Sequence, residues 1–126
     1  MSIILALLIF SVIVIVHELG HFLLAKYNGI TVTEFSVGMG PRLLSHEWRG
    51  TRYSLKILPF GGSCMMVGEE EESDEEGSFG SKSVWARISV VAAGPVFNFL
   101  LAFQKHSLTH ILLSVFLLHT ESYRTV

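Results

Sequence analysis

The sequence predicts a membrane α+β protein: a transmembrane helix carrying an H-E-x-x-H pattern, short β-hairpins lying on or dipping into the membrane, and a second, kinked transmembrane helix. Three observations predict it. Ile3 to Val16 is a run of fourteen uncharged residues, all apolar but Ser11, and apolar character continues through Ala25; about 20 such residues span a bilayer as a helix. From residue 30 the pattern changes to short stretches rich in β-formers, separated by Gly and Pro. A second apolar stretch, Ile88 to Phe103, carries Gly94-Pro95 and Asn98. Half of the 126 residues are hydrophobic and the mean hydropathy is +0.52, which sets the chain apart from soluble domains.

The first element, residues 1–27, holds the chemistry. His17 and His21 are four apart and so share one face of a helix, with Glu18 beside the first. In this pattern two imidazoles converge on one Zn²⁺ at about 2.0–2.1 Å, and the glutamate takes a proton from the water that the ion activates. Three fixed residues are moderately specific by themselves; their setting sharpens them. At about 1.5 Å per residue, His17 lies roughly 22 Å along a helix begun at Ser2, inside a hydrocarbon core about 30 Å thick. Phe22 to Ala25 prolong the apolar run beyond the motif. An acid at that depth costs about 2.5–3.5 kcal/mol, so ionisable groups there point to function. The competing interpretation places the motif at the wet end of a span. The run lacks a basic leader and ends in HELGH rather than in a small-residue cleavage site, so it reads as a retained span and not a signal peptide.

Residues 28–68 read as a membrane-associated β-hairpin segment. Thr31–Val37, Leu43–Trp48, Arg52–Leu58 and Cys64–Val67 are the expected strands, broken at Gly38-Met39-Gly40-Pro41 and Pro59-Phe60-Gly61-Gly62, with Arg49-Gly50-Thr51 as a hairpin turn. Residues 69–83 open on EEEESDEE and read as an acidic flexible linker. Residues 84–103 are the second transmembrane segment. Its sixteen-residue apolar part, Ile88–Phe103, falls short of a full crossing, and Pro95 would kink it. Residues 104–126 form a divergent apolar tail, in which His106 and His110 read as interfacial polar residues.

Charge and cysteine usage bound the function. A net charge of −2 without a basic patch argues against nucleic acid as a partner. The single Cys64 forms no internal disulfide and no cysteine-based zinc site, and reads as a small buried hydrophobe. Lys26, Arg42, Arg49, Arg52, Lys56, Lys82 and Arg87 lie between the two spans, and no basic residue precedes the first. That asymmetry places residues 28–87 on the cytoplasmic side of the cell membrane and the N-terminus outside.

With these residues in hand, the chain resembles the N-terminal portion of the site-2 protease family of intramembrane zinc metalloproteases, of the bacterial regulator-of-sigma-E protease type. The resemblance rests on HELGHFLLAKYNGITVTEFSVGMGP, YSLKILPFGG and KSVWARISVVAAGPVFNFLLAF, and covers about residues 3–103. It implies cleavage of substrate transmembrane segments within the bilayer, with His17 and His21 as zinc ligands and Glu18 as catalytic base. It also implies a hairpin region that guides an unwound substrate strand. The family's third ligand is an Asp in an L-D-G motif on a later span. Asp74 is the only Asp here and stands in the acidic stretch, so that ligand is not carried over. The extracytoplasmic PDZ module and the last spans have no counterpart, and likeness stops near Gln104, as expected of a shortened chain. The alternative function is a non-catalytic membrane fragment or interaction protein descended from such a protease; a membrane-anchored β module in which HELGH is incidental ranks below both.

Overall fold

The computed structural model describes residues 2–69 and 75–122, with the backbone alone for residues 2, 105 and 107–122. Most of the acidic run, with Asp74, and the side chain of His110 lie outside the described residues. The order is α1 (Ser2–Tyr27), β1 (Val32–Trp48), β2 (Thr51–Met66) and α2 (Val84–Ser122). Among the described residues two stretches are long and apolar enough to cross a membrane, Ile3–Tyr27 and Val84–Gln104, of 25 and 21 residues. Only 11% and 17% of their most apolar windows are buried, which separates them from the core helices of soluble proteins.

Helix α1 ends in a Schellman motif. Gly29 takes φ 67° just past the helix, its N–H donates to the Lys26 carbonyl, and the Ile30 N–H donates to that of Ala25. The motif turns Ile30 back onto Ala25, and both join Val32 and Val90 in a small core under Phe22, Leu24, Cys64, Met66 and Phe79. Within the stretch expected as a linker, Gly77 and Ser78 are buried. There the Thr31 N–H donates to the Gly77 carbonyl and the Phe79 N–H to that of Val67.

The sequence suggests several short hairpins; the structure has one long antiparallel hairpin. Arg49 and Gly50 form its two-residue turn at φ 51° and 74°, the left-handed pair that suits the twist of a tight hairpin. The expected breaks are absorbed into the strands as register shifts, with Gly38, Gly40 and Gly61 at positive φ. The hairpin is also folded back on itself. Glu34, Phe35, Ser36 and Val37 pair with Met65, Cys64, Ser63 and Gly62, and again with Arg52, Tyr53, Ser54 and Leu55. In the second set both partners advance together along the chain, so the distal half of the hairpin lies beside its own base. A Cβ at Gly38 would overlap the Leu58 carbonyl oxygen, so the fold-back requires glycine there.

Beside the fold-back, buried Glu34 accepts from Arg42 through both oxygens, at 3.0 and 2.8 Å. The Arg42 hydrogen bonds hold its carboxyl at about 2, well below the ordinary 4.5. The folded state therefore binds this proton less readily than the unfolded chain. Its contribution is complete above pH 4.5 and is lost as pH falls toward 2. We expect the hairpin to lose about 1–2 kcal/mol of stability across that window. Trp48 fluorescence during acid titration in detergent checks this, and Glu34→Gln should flatten the dependence.

Helix α2 begins at an N-cap, where the Ser83 hydroxyl accepts from the Ala86 N–H at 3.3 Å. It then runs unbroken through Pro95 and through Gln104–Ser107. The span Val84–Gln104 lies within this helix. Polar residues interrupt apolar character at Gln104–Ser107, but no Gly or Pro follows Pro95 to end the helix, and the apolar part starts at Val84, four residues before Ile88.

Candidate metal centre

Helices α1 and α2 cross at their small residues. A Cβ on Gly20 would stand 2.6 Å from the Ala93 carbonyl oxygen, so glycine lets the backbones meet. This crossing brings the imidazoles of α1 against α2. Position by position, α2 supplies a carbonyl at Val90, a bare Cα at Gly94 and an amide at Asn98. These are successive turns of one helix face.

His21 Nδ1 lies 2.8 Å from the Val90 carbonyl oxygen. A carbonyl only accepts, so Nδ1 carries the proton and Nε2 keeps a lone pair in the neutral ring. His17 Nδ1 lies 3.1 Å from the Asn98 amide. The rings meet edge to face with centroids 4.8 Å apart. Both rings pack closely on Gly94: a Cβ there would stand 2.5 Å from Nε2 of His21 and 2.6 and 2.7 Å from Nε2 and Cε1 of His17. The two imidazoles can come this near to α2 only because residue 94 lacks a side chain. Pinning the outer nitrogen of each ring by a neighbour is the usual way a metal-binding histidine is oriented.

Glu18 shares with His21 a cavity of about 260 Å³, also lined by Cys64, Met66, Glu69, Phe79, Val90 and Val91. Strand β2 passes close by, since a Cβ on Gly62 would lie 3.6 Å from Glu18 Cγ. Burial pushes the Cys64 thiol up to about 12, helped by the nearby Glu18 and Glu69 carboxylates. Among the described residues no group of three or more His, Cys, Asp or Glu is placed to hold an ion. The two imidazoles therefore fit part of a zinc coordination sphere, which usually takes three protein ligands in catalytic sites.

The structure thus places His17, Glu18 and His21 on α1 against α2, with the two imidazoles together. Sequence reasoning did not assign roles to Gly94, Asn98, the Val90 carbonyl or Gly62. A polar Asn and a Gly-Pro pair inside an apolar span were the available signals.

Comparisons with known proteins identify the family. Residues 5–118 match the model of peptidase family M50. A protein of Clostridium perfringens is 53% identical over 102 residues, covering 81% of this chain and 30% of its own length. One of Clostridium acetobutylicum is 48% identical over 101 residues, covering 80% and 30%. One of Thermotoga maritima is 39% identical over 105 residues, covering 79% and 21%. All three carry the provisional name of zinc metalloprotease. The chain spans about a third or less of the length of these relatives. The extent of the family match over this α1–hairpin–α2 unit establishes that the chain belongs to peptidase family M50, the site-2 proteases.

Proposed function

We propose that this chain forms the metal-binding part of an intramembrane zinc endopeptidase that cleaves transmembrane segments of membrane proteins. His17 and His21 would hold the ion, and Glu18 is the general base. The observation that carries the reading is the pairing of the two imidazoles, ring centroids 4.8 Å apart, against Gly94, with each Nδ1 turned to α2. When bound, zinc supplies Lewis acidity toward a carbonyl oxygen and a water of lowered pKa. Glu18, left outside the two-imidazole pair, accepts the proton of the attacking water and returns it to the leaving amine. The helix crossing holds both rings against α2.

The setting is a bilayer. The Ser11 hydroxyl lies 2.9 Å from the Pro59 carbonyl oxygen, so the bend of β2 touches α1 about 9 Å further along the apolar helix than His17. This supports a hairpin that dips into the membrane alongside α1, available to an unwound substrate strand. The basic residues between the spans favour a cytoplasmic position for residues 28–87 in the cell membrane.

Purified chain in detergent, assayed for bound zinc and for cleavage of a helical model substrate, tests the reading. Glu18→Gln is expected to keep the metal and lower cleavage by about 10²–10⁴-fold. Cleavage that persists in Glu18→Gln rejects the assigned base. The ligand count among the described residues favours a second reading, a non-catalytic membrane protein of the same ancestry. It predicts weakly held zinc and no cleavage by wild type.

A further inference from the structure

We propose that the turn of the hairpin is a membrane anchor: Trp48 and Arg49 seat in the phospholipid head-group layer, level with Tyr27 and Trp85, so that three segments share one aromatic belt. The proposal rests on the bilayer setting and is independent of the zinc reading.

All three rings lie open, at 87% for Tyr27, 56% for Trp48 and 81% for Trp85. They come from the end of α1, the end of β1 and the start of α2, yet their neighbours meet at one end of the fold. The side chain of Asn28, next to Tyr27, donates to the Ser89 hydroxyl at 3.1 Å, one helical turn from Trp85. The buried Thr51 hydroxyl donates to the Val32 carbonyl at 2.9 Å, and Thr51 is the strand partner of Trp48. Val32 in turn packs with Ala25 and Val90. Trp48 also reaches α1 through Tyr53: ring centroids are 6.4 Å apart for Trp48–Tyr53 and 6.0 Å for Tyr53–Phe22. The fold-back thus returns the turn to the level of the last two turns of α1.

The chemistry at that level suits lipid head groups. Indole and phenol rings pair an apolar body with a polar tip, and they collect where lipid meets water. The Arg49 guanidinium lies 4.8 Å over the Trp48 ring. Arg42 and Arg52 are each held by a glutamate, whereas among the described residues no ion pair engages Arg49. A phosphate offers such a guanidinium a two-pronged acceptor. Lys26 in the last turn of α1 adds a second cation at the same level. Further from the turn, Leu43, Leu44, Leu55 and Ile57 are exposed, so the anchor continues into an apolar flank. Glu18 lies about 14 Å along α1 from Tyr27, so a belt at the edge of a hydrocarbon core about 30 Å thick holds it near mid-bilayer.

Trp48 and Trp85 are the only tryptophans, so Trp85→Phe and Trp48→Phe leave one fluorescent reporter each. Each variant is reconstituted in vesicles of phosphatidylcholine and phosphatidylglycerol that carry a nitroxide on the head group or near the end of an acyl chain. Both reporters should lose most of their emission to the head-group nitroxide, and little to the deep one or to aqueous iodide. Arg49→Glu should shift Trp48 emission to the red and open it to iodide. Arg49→Lys, equally placed at φ 51°, should leave it where it is. Trp85 should respond to neither change, which reports an intact helix pair. A Trp48 quenched by iodide alone, by the deep nitroxide, or by no quencher overturns the anchor, even where a shallow Trp85 upholds the bilayer setting. An unmoved Trp48 in Arg49→Glu overturns it too. Bound zinc and cleavage do not enter the readout, so failure of the anchor and failure of the protease reading are separate results.

Discussion

Gly94→Ala is expected to abolish metal retention while leaving the helices intact. The added methyl would stand 2.5 and 2.6 Å from the two imidazole Nε2 atoms, too close for either ring to stay where it is. It is fixed to a helix backbone and cannot rotate away. The rings must turn aside, which separates the two imidazoles and removes the site. Helix stability would not fall for conformational reasons. Gly94 is not among the positive-φ glycines, and alanine is favoured over glycine in a helix interior by about 1 kcal/mol. The loss would therefore be local. Zinc content measured on detergent-purified protein should drop to the level of a His17→Ala/His21→Ala double variant, with unchanged helical circular dichroism. Full zinc content in Gly94→Ala would show that the imidazoles are not the ligands.

Gly20→Ala is the second large effect, and it acts on the frame instead of the imidazole pair. The new Cβ would meet the Ala93 carbonyl oxygen at 2.6 Å and its carbon at 2.8 Å. These are backbone atoms of a rigid helix, so the helices themselves must part. Separation weakens the His21–Val90 and His17–Asn98 contacts together and loosens the packing of Ala25 against Val90. A cost of about 1–3 kcal/mol in unfolding stability follows from overpacking a close contact. Thermal unfolding in detergent should show a lower midpoint for Gly20→Ala and little change for Gly94→Ala. Equal midpoints for wild type and Gly20→Ala would mean that the crossing is looser than described.

These two glycines mark the boundary of what was legible in the chain. The apolar run of α1 and the four-residue spacing of His17 and His21 can be read because both depend on neighbours in sequence. The Arg49-Gly50 turn is equally local. The fold-back of the hairpin is not. Gly38, Gly40 and Gly61 look like strand ends, because a residue free to take positive φ serves a turn and a bulge equally well. Only the second partner of Glu34 to Val37 decides between them. The length of α2 was obscured for a different reason. Gln104 to Ser107 lower hydropathy without opposing helical backbone, so apolar character alone leaves open whether the two apolar stretches join in one helix. Asn98 announced itself as polar in an apolar span, but its partner is 81 residues away and nothing local names it.

The doubling of the hairpin has one further effect. A simple two-stranded ribbon is all margin, with each strand showing unpaired amides to any passing chain, which invites aggregation. By lying between two neighbours, Glu34 to Val37 becomes an interior strand, and a ribbon thereby acquires the protected centre of a broader sheet.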